Sequence, residues 1–340
     1  MSSLMFEEAK SAADAVAAQH MYADERLATL GRLLGQHPPH LALTVARGSS
    51  DHAASYFAYL AMQRLGVPVV SLPMSLMTLH NAPLNVAGQL AVAMSQSGQS
   101  PDLVETMSAL GRAKAVTVAL VNQNESPLGE CCEWSVPLCA GQEKSVAATK
   151  SYIATLSAVA RLVAHWQGDE KLLAALASLP DRLKVAVDQD WSKGVETLVN
   201  ADRIMVVGRG LGFAVALEAA LKFKETCVLQ AEAFSSAEIK HGPMELIEEG
   251  YPLLVFAPRS PEQAGLIALA EEMRGRGARV LLAAPGDVAG RDLTLATADD
   301  EVLDPLLAIQ SFYMMAAQLS EARGFNPDQP RHLSKVTLTV

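Results

Sequence analysis

Apolar residues recur at three- and four-residue spacing through residues 3–35, with Glu and Lys between them, which predicts helices there. His37-Pro38-Pro39-His40 breaks that pattern. From residue 41 onward, short continuous apolar runs alternate with longer amphipathic stretches. Runs at 41–45, 67–72, 90–94, 115–121 and 134–138 predict strands. Helices are expected from the Arg47-Gly48-Ser49-Ser50 turn to about residue 65, over 102–113 and over 149–166. A helical connector follows at 169–200, and the cycle then starts again. Strands are expected at 204–207, 253–257 and 280–284, with helices at 213–225, 262–276 and 305–322. Short, uniformly apolar strands between helices are buried on both faces, as in a parallel sheet. The fold class that follows is α/β, with two tandem doubly wound parallel-sheet domains and helices on both faces.

The second cycle copies the first. Leu43-Thr-Val-Ala-Arg-Gly48 aligns with Met205-Val-Val-Gly-Arg-Gly210 at an offset of 162 residues, and each leads into an Ala-rich helix. A period of that size indicates a duplicated domain rather than a solenoid. A chain of 340 residues suits two domains. The expected divisions are an N-terminal helical segment at 1–30, a first domain at 31–168, a connector at 169–200, a second domain at 201–323 and a tail at 324–340.

Composition narrows the class. The formal net charge is −10, which argues against a general affinity for nucleic acid or for anionic membranes. It leaves room for a small anion, which responds to local donors. Cys131, Cys132, Cys139 and Cys227 have no metal-knuckle or redox-motif spacing and are expected as buried thiols. No signal peptide and no run of about 18 consecutive apolar residues is evident. A cytoplasmic protein without a membrane partner is the expectation.

In doubly wound sheets, ligands bind beyond the carboxyl ends of the strands. Two hydroxyl-rich turns fall at such ends, Gly48-Ser49-Ser50 and Ser95-Gln96-Ser97-Gly98-Gln99-Ser100. Hydroxyls and free amides at a helix start can hold a phosphate dianion without a lysine. Serines at such places also simply cap helices. No phosphate loop of the nucleotide triphosphatase type is present, and the glycines at 208, 210 and 212 lack dinucleotide-fingerprint spacing. In the second half, Glu218, Lys222 and Glu225 are spaced four and three apart and share a helix face. His241, in Lys240-His241-Gly242-Pro243, lies sixteen residues after Glu225, with Glu238 just before it. A carboxylate, a lysine and an imidazole suit proton-shuttling chemistry. The plainer reading of the helix is a solvated ion-pair face.

These segments together resemble the sugar isomerase (SIS) domain superfamily, over nearly the whole chain. The resemblance is carried by Ser95-Gln-Ser-Gly98, Val146-Ala-Ala-Thr-Lys150, Glu218-Ala-Ala-Leu-Lys-Phe-Lys-Glu225, Ala231-Glu-Ala-Phe234, Glu238-Ile-Lys-His-Gly-Pro243 and Asp328-Gln-Pro-Arg-His-Leu-Ser-Lys335. The pattern is similar to the tandem isomerase half of the glutamine–fructose-6-phosphate aminotransferases. Their N-terminal glutaminase domain, with its catalytic cysteine, has no counterpart in this sequence. Pro73-Met-Ser-Leu-Met-Thr78 looks more like the SIS-type glucosamine-6-phosphate deaminases.

The resemblance implies roles. Glu225 would move a proton between C1 and C2 of an open-chain sugar, with Lys222 beside the same carbons. His241 would open the ring, reaching into a neighbouring subunit's site, so a homodimer is implied. Lys335 would contact the sugar or form an imine with the ketose. Ser50, Ser95, Gln96, Ser97 and Ser100, with Ser49 in the same turn, would hold the phosphate. Val146 and Ala148 would line the sugar through backbone groups, alanine standing at 148 where the family has serine. Neither metal nor cofactor is implied. The implied reaction converts glucosamine 6-phosphate into fructose 6-phosphate and ammonia. A fructosamine-phosphate deglycase, a different aldose–ketose isomerase, ammonia-dependent synthesis in reverse, or a non-catalytic sugar-phosphate sensor are the alternatives.

Overall fold

The computed structural model describes residues 2–123 and 125–335, so the last five residues of the expected tail lie outside the described residues. Helices α1 (Leu4–Lys10), α2 (Ala12–Tyr22) and α3 (Asp24–Gln36) precede strand β1 (Ala42–Val45). Then come α4 (Ser49–Leu65), β2 (Val69–Ser71), α5 (Ser75–Thr78), β3 (Leu90–Ser95), α6 (Pro101–Arg112), β4 (Val116–Val121), α7 (Pro127–Cys131), β5 (Trp134–Pro137) and α8 (Lys150–Gln167). The connector is α9 (Glu170–Val187) and α10 (Ser192–Leu198). It leads to β6 (Arg203–Gly208), α11 (Leu211–Cys227), β7 (Gln230–Ser235) and two 3-10 turns, Glu238–His241 and Pro243–Leu246. The chain ends with β8 (Pro252–Phe256), α12 (Gln263–Gly275), β9 (Arg279–Pro285), β10 (Leu293–Leu295) and α13 (Asp304–Ala322).

The chain forms two compact units. Among the described residues, one comprises 14–123, 125–143, 150–177 and 334–335. Its five parallel strands run in the order β2-β1-β3-β4-β5. The central strand β3 is buried along its whole length, as a strand covered on both faces must be. Helix α8 is buried on nearly every side, its polar Ser151, Thr155, Ser157 and Arg161 included, and it packs on α3 and α4.

The other unit comprises residues 2–13, 144–149 and 178–333. Its parallel strands run β10-β9-β8-β6-β7. Read from the other edge, that is the same order as in the first sheet: the second strand, then the first, third, fourth and fifth. The duplication expected from sequence is therefore present in the topology. Helix α13 forms the core of this unit, with Phe312 packed edge-on against Phe223 at 4.9 Å between ring centroids. The stretch Glu301–Ala322 is long and apolar enough to cross a membrane, but 94% of its most apolar window is buried inside the fold, as in a core helix.

Strands β7 and β10 were not expected. β7 is an edge strand whose Gln230 and Glu232 face solvent, so it lacks a continuous apolar run. β10 is an edge strand of only three residues. The cysteines depart in part from expectation, since Cys227 is buried while Cys131, Cys132 and Cys139 are half-buried.

Candidate functional site

In each sheet the first and third strands lie side by side while their connections leave in opposite directions. This is the switch point at which doubly wound sheets open a ligand crevice. In the first sheet it lies between β1 and β3. The Gly48–Ser50 turn and the Ser95–Ser100 turn sit at the carboxyl ends of those two strands. The positive φ of 53° at Gly48 lets the chain turn sharply into α4, and the space where a side chain would project is open. Ser49 and Ser50 are half-buried in the first turn of α4.

The second turn is held by its own hydroxyls. Ser95 Oγ accepts from the Gly98 amide at 3.0 Å, and Ser97 Oγ accepts from the Gln99 amide at 3.3 Å. Gln96 and Ser100 are half-buried. Leu128 N donates to Gly98 O at 3.2 Å, so the start of α7 braces the turn from below. An ion pair clamps the two turns together, with the Arg47 guanidinium donating to Asp102 Oδ2 through Nε (3.1 Å) and Nη2 (2.9 Å). Asp102 is buried at the start of α6. Sequence reasoning missed this clamp. The signal was an Arg beside the first turn and an Asp just after the second.

The switch point of the second sheet has the same backbone and a different content. Gly210 has φ 55° and ψ −135°, against 53° and −131° at Gly48. There the Glu262 carboxylate fills the space above the glycine, where a Cβ would lie 2.8 Å from Oε1. The first cradle is open and the second is occupied by the protein's own anion.

Helix α11 carries the titratable cluster in the unit of the second sheet. Lys222 is fully buried, with its Nζ 3.3 Å from Glu218 Oε1 and hydrogen-bonded to Glu225 Oε2. Glu218 is also fully buried and accepts from Tyr313 Oη at 2.9 Å. Burial, the largest influence, pushes the Lys222 ammonium down; the two carboxylates outweigh it and the net direction is up. The solvated ion-pair face is thereby overturned, because a helix with Ala, Leu and Phe around Lys222 turns that face inward. Glu225 is a fifth exposed and lines a cavity of 660 Å³. Lys224, Phe325, Arg331 and His332 line the same cavity, and the Arg331 guanidinium lies 5.7 Å from the Phe325 ring centroid. Tyr313, which orients Glu218, gave no sign in the sequence.

The remaining expected residues are not among those that line this cavity. His241 is exposed in its 3-10 turn, its imidazole makes no hydrogen bond or ion pair among the described residues, and it does not line the cavity. Glu238 is exposed, and neighbouring Lys240 pairs with Glu272 at 2.6 Å. Lys335 Nζ lies 3.5 Å from Glu143 Oε2, a carboxylate that also accepts from Ser151 Oγ at 2.6 Å. Val146 and Ala148 are half-exposed, while Ser145, Ala147 and Thr149, which alternate with them, are buried. No group of His, Cys, Asp and Glu side chains suited to a metal ion occurs among the described residues.

Two parallel sheets of identical order, each starting with the same glycine turn, define a duplicated doubly wound α/β protein. The chain belongs to the SIS domain family, whose profile matches residues 39–164 and 197–297. It is 32% identical over 301 residues to the glutamine–fructose-6-phosphate aminotransferase (isomerizing) of Methanothermobacter thermautotrophicus, covering 86% of this chain and 50% of that one. The chain thus spans about half the length of the curated relatives it matches. Among solved structures, a candidate phosphosugar isomerase from Silicibacter pomeroyi is 38% identical with a TM-score of 0.91, covering 96% of this chain and 100% of that one. A glucosamine-6-phosphate deaminase from Thermotoga maritima shares the fold, at 21% identity and a TM-score of 0.75, covering 97% of this chain and 100% of that one.

Proposed function

We propose that this chain isomerises and deaminates an amino-sugar phosphate, converting glucosamine 6-phosphate and water into fructose 6-phosphate and ammonia. The observation that carries the reading is Glu225, a carboxylate at the wall of a cavity and backed by a buried lysine. In this reading Ser49, Ser50, Ser95, Gln96, Ser97 and Ser100 hold the phosphate at the first switch point, where the turn is open and its twin is closed by Glu262. A fixed phosphate orients the open-chain sugar and retains the intermediate. His241 of a second copy opens the ring, as a homodimer would allow. Glu225 removes the C2 proton and delivers it to C1, turning the aldose amine into a ketose imine. The Lys222 ammonium beside it offsets charge that develops on the sugar. Water adds to the imine carbon and ammonia leaves. Lys335 and the backbone of Val146 and Ala148 contact the sugar.

The test supplies glucosamine 6-phosphate to the purified chain and follows ammonia and fructose 6-phosphate together. Both products should appear in equal amounts, and Glu225→Gln should lower turnover by about a hundredfold or more with the fold intact. No ammonia across a range of pH and concentration overturns the reading. The identity to aminotransferases favours one second reading, the same proton transfer run towards synthesis. Fructose 6-phosphate with ammonium salt, assayed for glucosamine 6-phosphate, tests it.

A further inference from the structure

We propose that Asp328 and Glu8 are positioning residues for the site described above, an inference that rests on the functional reading just given. They tie the 144–149 loop and the C-terminal tail to helix α1. They thereby set where the Val146–Ala148 backbone and the tail meet the sugar.

The Asp328 carboxylate accepts from the amides of Leu4 (2.9 Å) and Met5 (2.7 Å). These lie at the start of α1, where amides have no partner inside the helix. The Asp328 carbonyl accepts from the Val146 amide at 3.1 Å. One turn along α1, the buried Glu8 carboxylate accepts from the amides of Lys144 (2.5 Å) and Ser145 (3.1 Å). Five hydrogen bonds, four of them to a carboxylate, therefore join three segments far apart in the sequence.

Each joined segment has a place in the site. Val146 and Ala148 turn outward from the tied loop, with their neighbours buried. Residues Gly324 to Asn326 and Gln329 to Leu333, on either side of Asp328, line the cavity with Glu225. Helix α1 has only seven residues, too few to persist alone, and is held in turn on α13, where Gln310 Nε2 donates to the Ala9 carbonyl at 3.0 Å. The two carboxylates bond backbone amides that belong to no sheet, so their effect falls on placement of loop and tail.

The test compares the full-length wild type with Asp328→Ala, Asp328→Asn and Glu8→Ala by hydrogen exchange and steady-state kinetics. In Asp328→Ala, exchange should rise about tenfold in peptides covering 4–8, 144–149 and 326–333, and stay unchanged in β6, β8 and β9. Its kcat should fall by about ten- to a hundredfold with little change in KM for glucosamine 6-phosphate, because the phosphate turns are untouched. Glu8→Ala should loosen 144–149 most. Asp328→Asn keeps an acceptor oxygen and should recover part of the kcat. The inference is overturned if 144–149 exchanges at the wild-type rate in Asp328→Ala, if exchange rises there while kcat holds, or if the strands loosen equally. A wild type without turnover instead overturns the functional reading, a result seen before any variant is made.

Discussion

Replacing Lys222 by methionine removes a buried charge and keeps the length of the side chain. The consequence follows from its partners. Glu218 is fully buried and touches two polar groups described above, Lys222 Nζ and Tyr313 Oη. Without the ammonium, a fully buried carboxylate loses the opposite charge beside it. Breaking a buried pair from one side costs about 3–5 kcal/mol, a large part of the total stability of a domain. Removing the second charge as well, in Lys222→Met with Glu218→Gln, should return most of that loss, because no uncompensated charge is left inside. The sign of the pH dependence is also fixed. In the single variant, Glu218 escapes its penalty by binding a proton in the folded state, while the unfolded chain binds none near neutrality. The folded state then holds more protons, so stability falls as pH rises, by at most about 1.4 kcal/mol per pH unit. Urea unfolding at about pH 5 and about pH 8 reads this out, with the wild type nearly flat over the same range. Equal destabilisation at both pH values, or no recovery in the double variant, would refute the account of the cluster.

Gly98→Ala should disrupt the turn at 95–100. Gly98 has φ 64°, and an added Cβ would lie 2.2 Å from Ser126 Oγ, so a loss of about 1–3 kcal/mol and a raised KM for the sugar phosphate are expected, from urea unfolding and kinetics. A variant with wild-type stability and KM would contradict the tight turn. Asp24 sits between the buried Arg161 (2.9 Å) and His165 (3.0 Å). Burial, the largest influence, raises its carboxyl, but the bonds from His165 and Arg161 prevail and the net direction is down from 3.8. The stability it contributes is therefore present above pH 3.8 and is lost as pH falls below it. Asp24→Asn should flatten that acid limb and lower stability near neutrality, and an acid limb identical to wild type would rule this out.

The alternation of apolar runs and helical stretches was enough to place eight of the ten strands among the described residues, because parallel strands buried on both faces are continuously apolar. It failed at β7 and β10, where an edge strand half in water or a three-residue strand leaves no such run. The hydroxyl turns and the α11 cluster were visible as local strings. Their burial was less so: Lys222 looked like a surface residue by type, although the Ala, Leu and Phe around it on α11 signalled an inward face. Contacts across long sequence distances were not legible as pairs. Arg47 with Asp102, Tyr313 with Glu218, and Asp328 with Leu4 and Met5 are pairs that only the folded chain brings together. The closed second cradle was half legible, since the loss of serines at Gly210-Leu-Gly212 could be read, whereas the carboxylate that fills it lies fifty-two residues away at Glu262.

The central claim is that Glu225 carries a proton between C1 and C2. Glucosamine 6-phosphate deuterated at C2, followed by NMR together with ammonia release, addresses it directly. The wild type should remove the deuteron from C2 in step with ammonia release, while Glu225→Gln, folded and able to bind the sugar phosphate, should leave it in place. Retention of the C2 deuteron by the wild type, or equal loss in the variant, would contradict the claim.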